Sequence, residues 1–71
     1  MASDDLVDVE GKVIAISQGD LFKVEGPGDL MILAKPAGRL RQNKIKIVVG
    51  DRVLVQVSPT DLTRGRIISR L

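Results

Sequence analysis

Four cations crowd residues 38–47, which read Gly-Arg-Leu-Arg-Gln-Asn-Lys-Ile-Lys-Ile. No acid separates Arg39, Arg41, Lys44 and Lys46, and no aromatic residue stands among them. Guanidinium forks and ammonium groups at this density suit phosphate oxygens and are costly to pack away from water. The segment reads as a docking loop for a polyanion. Arg64, Arg66 and Arg70 follow at even spacing, so a strand there is expected to carry them on one face. Charged edge strands also resist pairing with other chains, a role compatible with the first. Lys35 leads into the loop, whereas Arg52 sits at a turn beside Asp51 and reads as a solvated side chain.

Other chemistries lack their residues. Nucleophilic and acid–base catalysis draw mainly on histidine, cysteine, tyrosine or perturbed carboxylates. The first three types are absent, and no paired arrangement of carboxylates is visible, so no enzyme is expected. The same absences remove the common transition-metal ligands, and a Gly-x-x-x-x-Gly-Lys phosphate loop does not occur. Neither a cofactor nor a metal is expected. Asp4, Asp5, Asp8 and Glu10 read as a solvated end, with residues 1–5 a flexible tail.

The net charge of +2 conceals a division along the chain. Residues 1–34 hold two cations and seven acids, whereas residues 35–71 hold nine cations and two acids. Such segregation produces a directional field and points to a charged partner. With 71 residues the chain makes one domain and buries only about 60% of its unfolded surface. Its apolar runs are far shorter than the roughly 20 residues that span a bilayer, and its acidic start lacks the basic flank of a signal peptide. A soluble protein without membrane contact, monomeric when free, is expected.

The elements that must position the cations are strands. Val7, Val9 and Val13 alternate with Asp8, Glu10 and Lys12, and the apolar run then continues to Ile16. Gly11 marks a place for a bulge or sharp bend, so one long, curled strand serving two parts of a sheet is predicted. Residues 21–25 form a second strand with Phe22 and Val24 inward. After Gly26-Pro27-Gly28-Asp29, a strong turn signal, the unbroken apolar run 30–34 predicts a third strand buried on both faces or along a covered edge. Residues 39–42 suit a short helical turn with Leu40 inward. Ile45 and Ile47 alternate with Lys44 and Lys46, Val53, Val55 and Val57 mark a fourth strand, and residues 64–71 a fifth. Gly38, Gly50 and Gly65 are expected where a turn needs positive φ or the backbone approaches closely.

Five short strands need closure to hide their edges. The prediction is an all-β fold, a five-stranded Greek-key OB-fold barrel with a short helical turn between strands 3 and 4. An SH3-like barrel is the alternative, less favoured because the longest irregular segment lies between those two strands.

In this frame the chain resembles bacterial-type translation initiation factor one. The resemblance covers nearly all of the chain. It rests on Gly11, Phe22-Lys23-Val24, Ala34, Gly38-Arg39-Leu40-Arg41 with Asn43, Ile45-Lys46-Ile47, Gly50-Asp51-Arg52-Val53 with Val55, Pro59 with Asp61-Leu62, Gly65-Arg66-Ile67, and Arg70. The ordered set is specific, although each word alone is weak. The resemblance implies a single S1-like RNA-binding domain over residues 1–71 that binds the small ribosomal subunit at the A site. There it would contact ribosomal RNA and a neighbouring subunit protein, block premature tRNA entry and assist initiation factors two and three, without chemistry of its own. It implies a cytoplasmic location, or the plastid stroma if the gene is organelle-encoded.

By the same resemblance, Arg41 and Lys46 occupy basic positions that reach into decoding-site RNA. Arg39, Arg64, Arg66 and Arg70 match basic positions at or near the RNA backbone, while Asn43 is read as a local turn residue. The chain departs from the family at Lys35, where histidine is usual, at Lys44 and Thr60, where tyrosine is common, and at Ser69, often aromatic. The turn at 26–29 departs too. Lys35 and Lys44 are included among the expected RNA contacts. With Phe22 the single aromatic, base stacking worth about 1–3 kcal/mol per base is largely unavailable. Arginine planes are left as the main route to the bases. A general single-stranded RNA binder or RNA chaperone of cold-shock type is the alternative reading.

Overall fold

A computed structural model describes residues 6–43 and 45–71, and the backbone but not the side chain of Arg41. The expected flexible tail, residues 1–5, and the expected contact Lys44 lie outside the described residues. Five strands, β1 (Val7–Ser17), β2 (Leu21–Glu25), β3 (Met31–Pro36), β4 (Arg52–Ser58) and β5 (Asp61–Arg70), close into a barrel in the order β1-β2-β3-β5-β4. A five-residue helix, α1 (Gly38–Gln42), sits between β3 and β4. This is the predicted OB architecture.

β1 pairs antiparallel with β4 through its first half and with β2 through its second, as the long-strand reading required. The irregularity lies between Val13 and Ala15, not at Gly11. Gly11 is needed for a different reason: a Cβ there would lie 2.5 Å from Val24 Cγ1 and 2.8 Å from the Glu25 carbonyl oxygen. β2 and β3 continue the meander, and the barrel closes where β3 runs parallel to β5. Two three-residue 3-10 turns join the first three strands, and in each a Gly-Asp pair (Gly19-Asp20, Gly28-Asp29) takes positive φ. Successive left-handed residues match the right-handed twist of the flanking strands.

The core is aliphatic. Val13, Val24, Ile32, Val53, Val55 and Ile67 are fully buried, with Phe22 at one end. Leu40 of α1 and Ile47 of the following loop plug the barrel end. No polar side chain is buried among the described residues.

Two expectations for the strands are corrected. The run in β3 is not buried on both faces: Ile32 and Ala34 point inward, but Met31 and Leu33 are exposed. A closed barrel has one interior, so alternate residues face out whatever their polarity. Arg70 also does not share the face of Arg64 and Arg66. Val55 pairs with Ile67 and Leu54 with Ser69, leaving Ile68 as an extra residue. A one-residue insertion reverses the facing of everything after it. Arg70 is thereby registered with the inward Val53 and emerges at the barrel end.

Candidate nucleic-acid interface

The basic loop is held from several directions. Its entry is tied to β5, where the Ala37 amide donates to the Ile67 carbonyl at 2.8 Å. α1 follows, with the Asn43 amide donating to the Arg39 carbonyl at 3.1 Å and the Ile45 amide to the Leu40 carbonyl at 3.0 Å. One turn is all the sequence supports: glycine opens it, and buried Leu40 anchors one face. At the exit, Asp51 Oδ2 accepts from the Val48 amide at 3.1 Å. The Gly50 amide donates to the Val13 carbonyl at 2.8 Å, and the Val13 amide donates to the Asp51 carbonyl at 2.9 Å. Residues 45–48 form no strand despite their alternation, because no neighbouring backbone pairs with them as a ladder. Ile47 is buried while Ile45 is exposed, so the two do not share a buried face.

Four predicted contacts form one continuous arc. Lys35 of β3 is registered beside Arg66 of β5, and Leu33 beside Arg64. Arg39 and Arg66 line a groove between α1 and β5, Arg64 and Arg66 line a second, and Lys35 and Arg64 a third. All four side chains are exposed. Among the described residues, none lining these grooves is an acid.

The acids lie elsewhere. Asp8, Glu10 and Glu25 line a groove on β1 and β2 together with Lys12 and Arg52. Neither β3 nor β5 pairs with β1, so the charge division along the chain becomes a division around the barrel. Arg52 forms an exposed ion pair with Glu10 at 3.5 Å, a contact of small energetic value. Asp61, near the arc, is held by its own turn: Thr63 Oγ1 donates to Asp61 Oδ1 at 2.6 Å and the Thr63 amide at 3.2 Å. Those bonds, with Arg64 nearby, keep its carboxyl below the usual aspartate range.

Lys46 and Arg70 stand apart from the arc, at the barrel end. Arg70 Nη1 donates to the Lys46 carbonyl oxygen at 3.0 Å, and the exposed Lys46 side chain borders a groove with Ile16, Phe22 and Ile45. Arg41 is placed on α1 by its backbone alone, and its side chain lies outside the description. Asn43 contributes an exposed turn, as expected. Gly50, with φ of 101°, and Gly65, boxed in by β4, fill their expected roles, whereas Gly38 has neither positive φ nor a close neighbour.

The sequence reading did not single out Gln56 or Ser69 as ligand-facing, yet both line the Arg39–Arg66 groove. Gln56 was discoverable, because it sits on the polar side of the alternation Val53, Val55, Val57. Ser69 was not, since its facing depends on the bulge at Ile68.

An array of exposed cations on a barrel wall can grip successive phosphates and lay guanidinium planes against bases. The chain matches the family described as Translation initiation factor 1A / IF-1 over residues 2–71. Its structure is similar to the solution structure of translation initiation factor one from the wolbachia endosymbiont strain TRS of Brugia malayi. The TM-score is 0.78 and the identity 39%, covering 100% of this chain and 88% of that one. The barrel is also similar to part of YjeQ from Thermotoga maritima, with TM-score 0.74, 30% identity, 92% of this chain and 23% of that one. A comparable match joins it to YloQ, a circularly permuted GTPase, with TM-score 0.74, 26% identity, and coverage of 92% and 23%.

Proposed function

The chain belongs to the Translation initiation factor 1A / IF-1 family, and from that membership we propose that it binds the small ribosomal subunit at the A site. Residues 1–71 act as one RNA-binding domain. Bound there, the protein blocks premature tRNA entry and assists initiation factors two and three, without catalysing a reaction. Its place of work is the cytoplasm, or the plastid stroma for an organelle-encoded gene. Contacts to ribosomal RNA come from Lys35, Arg39, Arg64 and Arg66 along the arc and from Arg41, Lys44, Lys46 and Arg70 at the loop and barrel end.

The observation that carries this reading is the arc itself. Four exposed cations from three elements share contiguous grooves, and the nearby Asp61 carboxylate is engaged by its own turn. A general single-stranded RNA binder would need surface aromatics, and Phe22, the sole aromatic, is buried in the core.

Co-sedimentation with purified small subunits, with A-site tRNA as competitor, tests the reading. Binding at low salt that A-site tRNA displaces is expected. The affinity should fall with salt by about 0.7–0.9 log unit per log unit for each phosphate engaged. Failure to co-sediment, or binding indifferent to A-site tRNA, refutes it. Binding to an unstructured oligonucleotide as tight as to the subunit would favour the RNA-chaperone reading.

A further inference from the structure

The outer face of β2 and β3 carries apolar side chains that the ribosomal reading leaves unused. In barrels of this architecture that face takes oligonucleotides, and aromatic side chains on it stack the bases. Here it carries Leu21, Met31 and Leu33, with no aromatic, alongside Lys23 and Lys35 and, opposite Met31 at the far end, Glu25. Met31 is 41% exposed and Leu33 is 36% exposed. Leu33 is registered between Lys23 of β2 on one side and Arg64 of β5 on the other. Leu21, Leu33, Lys35, Arg64 and Gly65 line one groove.

Each half of this pattern excludes a partner. An aliphatic floor gives a base no π-face, so RNA gains only the cations. A basic apolar partner would be repelled by Lys23, Lys35 and Arg64. The chemistry that satisfies both halves is a polypeptide with apolar side chains among carboxylates.

We propose that this face docks an acidic protein segment whose apolar side chains seat against Leu21 and Leu33 while its carboxylates meet Lys23, Lys35 and Arg64. The assignment does not rest on ribosome binding, but it draws on two cations of the arc. Lys35 and Arg64 line this groove, so a docked segment and RNA would compete for them. The barrel is closed, so the segment gains no strand pairing, and its hold comes from side chains alone.

Backbone-amide NMR of the full chain tests this, with a short synthetic peptide of alternating leucine and glutamate as probe. A control peptide carries serine in place of each leucine, and an oligouridylate is the nucleic-acid probe. The expected result is shifts centred on residues 21, 23, 33, 35 and 64, with a dissociation constant below about 1 mM, weakened about tenfold in the control. Leu33→Ser, with a spectrum still dispersed as in the folded chain, should weaken the peptide by about tenfold as well. The proposal is overturned if no shifts occur at about 1 mM peptide, or if the serine control or Leu33→Ser binds equally well. It is likewise overturned if the oligouridylate moves the amides of Leu21, Lys23 and Leu33, which lie outside the cationic arc, at lower concentration than the peptide does.

Discussion

Arg70 and Lys46, 24 residues apart in sequence, are joined by a hydrogen bond from the Arg70 guanidinium to the Lys46 carbonyl oxygen at 3.0 Å. The bond fixes the basic loop to the last strand by its backbone and leaves the Lys46 ammonium exposed. It exists because the bulge at Ile68 turns Arg70 toward the barrel end.

Arg70→Met removes that donor while keeping most of the apolar stem. The loss is about 1 kcal/mol, corresponding to a fall in Tm of about 4–8 °C. Amide exchange at Ile45 and Ile47 should accelerate more than exchange at Val53, which is registered with Arg70 in the barrel wall. Uniform acceleration would mean that Arg70 supports the barrel rather than the loop.

Gly65→Ala and Gly38→Ala should differ in sign. A Cβ at Gly65 would lie 2.6 Å from Val55 Cγ1, 2.7 Å from Val57 Cγ1 and 2.8 Å from the Gln56 carbonyl oxygen. Overpacking of that kind costs about 1–3 kcal/mol. A Cβ at Gly38 meets nothing within 4 Å, and the backbone there is not left-handed. Restricting the unfolded chain should then stabilise by about 0.4–1 kcal/mol. Urea denaturation of the two variants measures both.

Asp61 should titrate below an ordinary aspartate when followed by carboxyl NMR, because the Thr63 hydroxyl and then the Thr63 amide, with Arg64, favour its charged form. A lowered folded-state pKa contributes stability that is present above the unfolded value, about 3.9, and lost as pH falls through the folded value. Thr63→Val deletes the strongest of these bonds and should move the midpoint upward, toward the ordinary range. An unmoved midpoint would assign the effect to the amide and Arg64.

Arg66→Glu should weaken small-subunit binding by about tenfold or more, the loss of one charge-assisted contact being worth about 1.5–3 kcal/mol. Lys12→Glu, in the acid-lined groove of β1, should change it far less. Co-sedimentation across a salt series would show the difference, and equal losses would place the contact surface elsewhere.

Much of this molecule was legible in its sequence, and the failures share a cause. Strict alternation located β2 to the residue and the inward valines of β4, because a half-buried strand records its two environments in its side chains. The helical turn at Leu40 was marked by its flanking Pro36 and Gly38. The unbroken run in β3 misled, since exposed Met31 and Leu33 mimic the pattern of a doubly covered strand. Arg70 was misfaced because a bulge is a property of two strands together, and nothing in Arg66 to Arg70 alone announces the extra Ile68. Of the site, the cation types were readable, but their union with Gln56 and Ser69 required the closed ring.

The short parallel seam between β3 and β5 also governs how the chain reaches its shape. β1, β2 and β3 are joined by tight turns, and hairpins of that kind zip within about 1–10 μs. The seam instead joins residues 33–36 to residues 64–67, and closing a loop of that length carries an entropic penalty of about 3 kcal/mol. The pairing of β1 with β4 spans still more chain, from Val7 to Val57. Joining the β1–β3 meander to β4 and β5 is therefore the slow event in folding, and any species stalled before it carries unpaired strand edges.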